Sequence, residues 1–263
     1  MPAKKPRVLA VANQKGGVAK TTTVASLGAA LAELGAKVLL VDLDPQACLT
    51  FSLGIDPEDV ELSVHHVLTK GIHPSEVIIE TDDGVDLLPA TIELARAEAD
   101  LLTRTGREHV LKLSLEDLDE GGDAYDWIML DCPPSLGVLT VAALTAARGV
   151  LIPLQCETLS HRGVGQLLDT VHDVRRFTNR KLEVWGVLPT LYDGRTNHAR
   201  AVLDNISETY QIDVIEPPIP KSIRFAEAPA AGRSILATTR HHRGADAYRE
   251  VAASLNKRGG RPS

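Results

Sequence analysis

Short apolar runs and longer amphipathic stretches take turns along the chain. Arg7-Val8-Leu9-Ala10-Val11-Ala12, Lys37-Val38-Leu39-Leu40-Val41 and Tyr125-Asp126-Trp127-Ile128-Met129-Leu130 are compact and apolar at their centres. Continuous apolar runs of this length suit parallel strands covered on both faces. Between them, apolar residues recur at helical spacing. Val24, Leu27, Leu31 and Leu34 follow one another at intervals of three, four and three, and Val164, Leu167, Leu168, Val171 and Val174 do the same within 161–177. The alternation predicts an α/β fold: a doubly wound, mostly parallel sheet with helices on both faces.

Punctuation sharpens this outline. Gly35 directly after Leu34 predicts the end of the first helix. Further strands are expected over 85–89, 149–154 and 182–188. Further helices are expected near 64–68, from 92 to about 118 with a break near Gly106, and over 139–147, 198–210 and 244–255. Residues 48–84 are less regular, with polar turns at Asp56-Pro57 and His73-Pro74. No repeat or linker divides the chain, so 1–263 is expected to be one domain, with 1–6 and 257–263 as flexible tails.

The loop between the first strand and the first helix carries chemistry. It reads Asn13-Gln14-Lys15-Gly16-Gly17-Val18-Ala19-Lys20-Thr21-Thr22-Thr23. Glycines let backbone N–H groups approach an anion closely, and a helix N-terminus adds partial positive charge there. Lys20 can reach outer phosphates and the Thr21 hydroxyl can ligate Mg²⁺. The strict pattern G-x-x-x-x-G-K-[ST] fails at Gln14 and Ala19; the deviant form K-G-G-x-x-K-[ST] fits, with Lys15 as an extra cation. A glycine turn with solvated lysines is the competing explanation, and the order strand, loop, helix weighs against it. Lys15, Gly16, Gly17, Val18, Ala19, Lys20, Thr21 and Thr22 are therefore expected to hold a nucleotide. Alanine at position 19 would be strained at positive φ.

In such a sheet, ligands bind beyond the C-terminal ends of strands. Asp42, Asp44 and Asp131 follow apolar strands. Asp131 is expected to hold Mg²⁺, directly or through water, opposite Thr21, with Asp42 a further metal candidate. Asp44 is expected to position the attacking water. Capping of a strand or helix is the plainer role for each.

Composition and charge narrow the class. The chain has 263 residues and a net charge of −7, which argues against a general nucleic-acid coat. From residue 221 onward nine basic residues face three acids, leaving −13 on the remainder, so a local basic face is possible. Cys48, Cys132 and Cys156 form no C-x-x-C pair, which fits neither a disulfide framework nor a zinc site. His65-His66 are expected at the surface rather than on a metal. No apolar run approaches the roughly 20 residues of a membrane span, and no signal-peptide core precedes Arg7, so a cytoplasmic location is expected.

Four motifs, in order, resemble those of the ParA/Soj family of partition ATPases, a P-loop NTPase group. They are Lys15 to Thr22; Val41-Asp42-Leu43-Asp44-Pro45-Gln46; Asp131-Cys132-Pro133-Pro134-Ser135-Leu136; and Ile219-Pro220-Lys221-Ser222-Ile223-Arg224-Phe225-Ala226-Glu227-Ala228. The first alone is shared with MinD-type and nitrogenase-iron-protein-like ATPases. The resemblance implies Mg²⁺-dependent ATP hydrolysis that is weak without a partner, with Lys15, Lys20 and Asp44 in the catalytic set. It implies an ATP-bound homodimer in which Lys15 reaches the partner's nucleotide, and adenine contacts near Pro220 and Ser222. It further implies non-specific binding of double-stranded DNA through Arg195, Arg224 and Lys221, with a ParB/Spo0J-like protein stimulating hydrolysis and the nucleoid as the place of work. Ala19 and Ser222 replace the family's usual glycine and asparagine. The short segment before Arg7 favours the chromosomal type.

Other classes fit less well. The segment 256–263 has no apolar face for membrane insertion, and no second cysteine pairs with Cys132 for an iron–sulfur cluster. An orphan ATPase that positions a protein cargo, and a slow nucleotide switch acting on a protein partner, stay open as alternatives.

Overall fold

The computed structural model describes residues 5–120, 125–157, 160–194 and 197–258. Among them, seven strands form one sheet in the order β3-β4-β2-β5-β1-β6-β7. The strands are β1 (Arg7–Val11), β2 (Val38–Asp42), β3 (Ile79–Glu80), β4 (Asp86–Leu88), β5 (Trp127–Asp131), β6 (Gly149–Gln155) and β7 (Glu183–Thr190). All pairings are parallel except that of the short edge strand β3 with β4. The helices are α1 (Lys20–Glu33), α2 (Cys48–Ser52), α3 (Val64–Lys70), α4 (Leu94–Leu102), α5 (Val110–Glu120), α6 (Val138–Ala146), α7 (Ser160–Phe177), α8 (Asn197–Tyr210), α9 (Arg224–Ala230), α10 (Ile235–Thr238) and α11 (Arg243–Arg258).

The continuous apolar strands have a simple cause. Successive side chains point to opposite faces, and both faces are covered. Leu9, Val11, Val38, Leu40, Trp127 and Met129 enter one core with Leu27 and Leu31 of α1 and Tyr248 and Val251 of α11. Ala10, Leu39, Val41, Ile128 and Leu130 enter a second core with Val67 of α3, Leu139 of α6, Leu167 of α7 and Ile206 of α8. The doubly wound architecture expected from the hydrophobic pattern is thus the one observed.

Strand order sets where a site can form. From β1 the chain passes over β5 to reach β2, builds that side of the sheet, returns through β5, and then places β6 on the other flank of β1. The reversal opens a crevice at the C-terminal end of β1. Register brings Asp42 and Asp131 abreast at the ends of β2 and β5, with Val11 beside Asp131 at the end of β1.

Local signals were mostly sound. Gly35 adopts φ 85°. Its N–H donates to the Ala32 carbonyl, and that of Ala36 donates to Leu31, which closes α1 by the double C-terminal bond pattern that glycine favours. Gly106, at φ 72°, breaks the 92–118 stretch. Three helices carry too few turns to show a periodicity: α2, α9 with its internal Pro229, and α10.

Two expectations need correction. His65 and His66 are buried, because α3 turns this face onto the second core. His66 Nδ1 accepts the Ser63 N–H and so helps cap the helix. Lys257 and Arg258 do not belong to a flexible tail: they finish α11, and the Arg258 guanidinium donates to the Trp185 carbonyl and to Asp213 Oδ2. Residues 1–4 and 259–263 lie outside the described residues. Among the described helices, none is long and apolar enough to cross a membrane.

A close backbone crossing ties α2 to the turn between α9 and α10. Gly54 and Gly232 both have positive φ, and a Cβ on Gly232 would stand 2.8 Å from the Gly54 Cα. The Gly232→Ala substitution should therefore cost about 2–4 kcal/mol from left-handed strain plus overpacking. Thermal unfolding should show a fall of at least about 4 °C; an unchanged midpoint would contradict the packing described here.

Candidate functional site

The loop after β1 is pinned before it does any chemistry. Asn13 Nδ2 donates to the Pro153 carbonyl at 2.8 Å, and Asn13 Oδ1 accepts the Lys15 N–H at 3.0 Å. Thr190 Oγ1 donates to the Val18 carbonyl at 2.9 Å, and Val18 itself is buried. The loop thus hangs from the ends of β6 and β7. A methyl group on Gly16 or Gly17 would meet no atom within 4 Å, so this backbone faces open space. Ala19 has φ 63° and ψ 35° as it starts α1. That is the strained left-handed conformation for which glycine is the relaxed residue, at a cost of about 1–2 kcal/mol.

A cavity of about 460 Å³ opens over this loop. That volume suits a nucleotide-sized ligand. Gly16, Gly17, Ala19, Lys20, Thr21 and Thr22 line it, together with Asp44 from the segment after β2. A smaller cleft of about 170 Å³, lined by Lys5, Arg148 and Lys181 among others, lies at the opposite, N-terminal end of the strands.

The two loop lysines behave differently. Lys20 is 7% exposed, and its Nζ donates to the Lys15 carbonyl at 3.1 Å. Burial pushes its pKa down, while Asp131, Cys132 and Asp44 pull it back up. Lys15 does not line the cavity; its Nζ sits 2.5 Å from Glu157 Oε2 in an exposed ion pair.

The acids also divide. Asp42 is fully buried and committed within the protein: its Oδ2 accepts the Thr50 N–H and hydroxyl at 2.9 and 2.8 Å, and its Oδ1 accepts the Asp44 N–H at 3.1 Å. Desolvation raises its pKa to about 6 against those bonds. Asp131 is equally buried, and neither carboxylate oxygen has a hydrogen-bond partner among the described residues. Burial and then the neighbouring Asp42 raise its pKa well above the ordinary range. The Thr21 side chain and Lys20 offset part of that rise, although Thr21 forms no well-aligned hydrogen bond to it. Asp44 Oδ1 accepts the Gln46 N–H and the side chain stays on the cavity wall.

A buried carboxylate without partners beside a threonine hydroxyl and a phosphate-sized cradle fits a hard divalent cation. Among the described residues no three His, Cys, Asp or Glu side chains converge as a metal cage. That suits Mg²⁺, which keeps several waters and takes the rest of its oxygens from phosphates.

The far wall comes from the other end of the chain. Leu191, Ile219, Ser222, Phe225, Ala226 and Tyr248 complete the cavity, as do Cys48 and Ser52 of α2. Ser222 was expected there; Ile219 rather than Pro220 lines the space. Phe225 and Tyr248 were missed, because nothing local marks an aromatic residue that becomes a wall through packing 200 residues away. Phe225 meets Tyr248 edge to face at 5.9 Å, and Tyr248 shares a 3.0 Å hydrogen bond with Thr23 of α1. Lys221 and Arg224 are exposed just beyond Ser222, with Arg224 Nη1 2.7 Å from Glu227 Oε2. Arg195 lies outside the described residues.

Comparison with known proteins agrees with this geometry. Residues 6–184 match the family model described as an AAA domain. The sporulation initiation inhibitor protein Soj of Bacillus subtilis is 42% identical over 254 residues, covering 96% of this chain and 99% of that protein. The chromosome partitioning protein ParA of Caulobacter vibrioides is 38% identical, covering 96% and 94%. A crystal structure from Mycobacterium smegmatis, named cobyrinic acid a,c-diamide synthase and holding ADP and magnesium, is 54% identical. It superposes with a TM-score of 0.86 over 97% of each chain.

The acids lead to a signed prediction. Asp42 and Asp131 bind protons more tightly in the folded chain than in the unfolded one. Their contribution to stability is full below about pH 4 and is lost as pH rises through their folded values, about 6 for Asp42. Without ligand, Asp131→Asn should weaken the loss of melting temperature that the wild-type chain shows as pH rises above neutrality, since it removes a buried carboxyl whose pKa is raised on folding. The same variant should lose at least tenfold of its Mg²⁺-dependent ATP turnover. A pH dependence of stability unchanged in the variant would contradict the raised carboxyl described here.

With its phosphate loop, its cation-ready aspartate and near-full-length relatives of partition proteins, the chain belongs to the Soj/ParA family of chromosome-partitioning P-loop ATPases and uses ATP with Mg²⁺.

Proposed function

We propose that the chain works as an ATP-dependent homodimer that grips double-stranded DNA without sequence preference and serves chromosome partition with a ParB-type partner that stimulates hydrolysis. In this reading all 263 residues act as one cytoplasmic, nucleoid-associated ATPase unit. The observation that carries it is the position of Lys15. A lysine next to the two glycines of the loop lies outside its own cavity, in an exposed ion pair with Glu157 that it would exchange for a nucleotide held by a second copy.

The chain's own residues divide the work. Backbone N–H groups from Gly16 to Thr21 and the α1 N-terminus bind the phosphates, and Lys20 neutralises the outer ones. Thr21 and Asp131 would hold Mg²⁺, which would screen the phosphate charge; Asp42 fixes α2 through Thr50. Asp44 orients and polarises the attacking water. Lys221, Arg224 and Arg195 need to meet phosphates alone, which suffices for sequence-independent binding.

The name of the Mycobacterium smegmatis structure offers a second reading: ATP-dependent amidation of a corrinoid carboxylate. Amidation with glutamine as nitrogen source requires an activated thiolate. The thiols here are poorly suited: burial raises the pKa of Cys48 and of Cys132, and lifts that of Cys156 to about 11. The partition reading is therefore preferred.

Binding to random-sequence duplex DNA, measured with ATP, with ADP and without nucleotide over a salt series, tests it. The expected result is binding with ATP alone that weakens steeply with salt. Asp44→Ala should trap the ATP-bound, DNA-bound dimer, and Arg224→Glu should weaken DNA binding about tenfold while ATP affinity stays within about twofold. DNA binding indifferent to nucleotide, or absent throughout, would remove the partition reading and leave the ATPase site intact.

A further inference from the structure

We infer that the cleft at the N-terminal end of the sheet is a docking site for a protein partner that presents one apolar side chain flanked by carboxylates. The site stands apart from the nucleotide cavity and is independent of the partition reading. Val8 of β1 and Ile128 of β5 lie abreast in its lining, while the phosphate loop and Asp131 follow at the other ends of those strands. A partner docked here leaves the nucleotide cavity open.

The interior of the cleft calls for an apolar group. Its polar side chains are already engaged within the chain. Asn179 Nδ2 donates to the Leu144 and Ala147 carbonyls at 3.0 and 2.7 Å, and Asn179 Oδ1 accepts the Lys181 N–H at 3.2 Å. Thr145 shares a 2.8 Å hydrogen bond with Thr178. What remains for an occupant is the apolar surface of Val8, Leu115, Ile128 and Ala146. The volume is about 170 Å³. A dry cavity of about 150 Å³ takes a benzene-sized group, so one ring or one branched aliphatic side chain fills this one.

The charges around it call for an acid. Lys5, Lys112, Arg148 and Lys181 line the cleft against one carboxylate, Glu116. They converge from four places: the segment before β1, α5, the turn between α6 and β6, and the turn between α7 and β7. Arg148 is paired with Glu183 at 3.1 Å, but Lys5, Lys112 and Lys181 have no carboxylate partner among the described residues. On a chain of net charge −7 this excess of cations is local, and its complement is an acidic surface. One packed anchor inside a charged rim is the anatomy of a protein interface, in which the anchor carries the energy and the rim steers. A DNA duplex brings the charge but keeps its bases stacked away from such a slot. The chain's own segment 1–4 adds Lys4 and no acid, so it does not complement the rim.

The test is fluorescence anisotropy on the full chain, without nucleotide, using a labelled peptide with one phenylalanine between two pairs of glutamates. The peptide should bind at low salt and more weakly as salt rises. Replacing its phenylalanine by alanine, or its glutamates by glutamines, should weaken binding at least about tenfold. Two variants that keep the wild-type circular dichroism spectrum should do the same: the double substitution Lys112→Glu and Lys181→Glu, which reverses the rim, and Ala146→Leu, which narrows the slot and leaves the charges. Saturating ADP with Mg²⁺ should leave the affinity within about twofold, as uncoupled sites require. A wild-type chain that ignores the peptide would overturn the proposal. So would an alanine-anchored peptide that binds as well, affinity unchanged in both variants, or displacement by ADP. Displacement by random-sequence duplex DNA would also overturn it and give the cations to a nucleic-acid face instead.

Discussion

The site is organised by a buried carboxylate that the protein does not satisfy on its own. Asp131 ends β5 in the interior, abreast of a second buried acid, with no hydrogen-bond partner among the described residues. Interiors tolerate such a charge only when something compensates it. Lys20 and the nearby Thr21 side chain offset part of the cost; in the proposed reading a cation arriving with phosphate would offset the rest. Burial thus disfavours the charged form of Asp131 within the chain alone. Asp42 shows what the satisfied alternative looks like: three hydrogen bonds, no cavity exposure, and a structural task.

Elements built from strong local patterns were readable in the sequence; those built by packing were not. The parallel sheet follows from apolar runs such as 38–41, because only burial on both faces explains their continuity. The phosphate loop follows from its glycines and lysines, and the end of α1 from Gly35. By contrast, α9 and α10 are too short for a hydrophobic period, and the aromatic wall exists because α11 lies across α1. His65 and His66 look polar and are nonetheless inside, since the cap at Ser63 consumes one ring and α3 carries both inward. Ala19 could be flagged as a departure from sequence alone. That it sits at positive φ required coordinates.

Strain clusters around the same crevice. Ala19, Ala47 and Leu191 all have positive φ. Two of them line the cavity, and the third starts α2 just after Asp44. Left-handed conformations of non-glycine residues persist where their surroundings over-determine them, as functional sites do. Here the surroundings are identifiable: Thr190 and Asn13 fix the phosphate loop, and the Asp42–Thr50 bonds fix α2.

The span of the cavity walls has a consequence for biosynthesis. Its floor is made within the first two dozen residues, while Ser222, Phe225 and Tyr248 come near the end, and the bond joining Thr23 to Tyr248 bridges 225 positions. Arg7 is likewise bound to Asn256. A nascent chain emerging from the ribosome carries a phosphate loop whose opposing wall is built late, from residues 191–226, and is finished only when α11 brings Tyr248 into place. The cavity thus reaches its full lining as a terminal event, and a chain truncated before α11 would carry every motif yet lack the Tyr248 wall and its bond to Thr23.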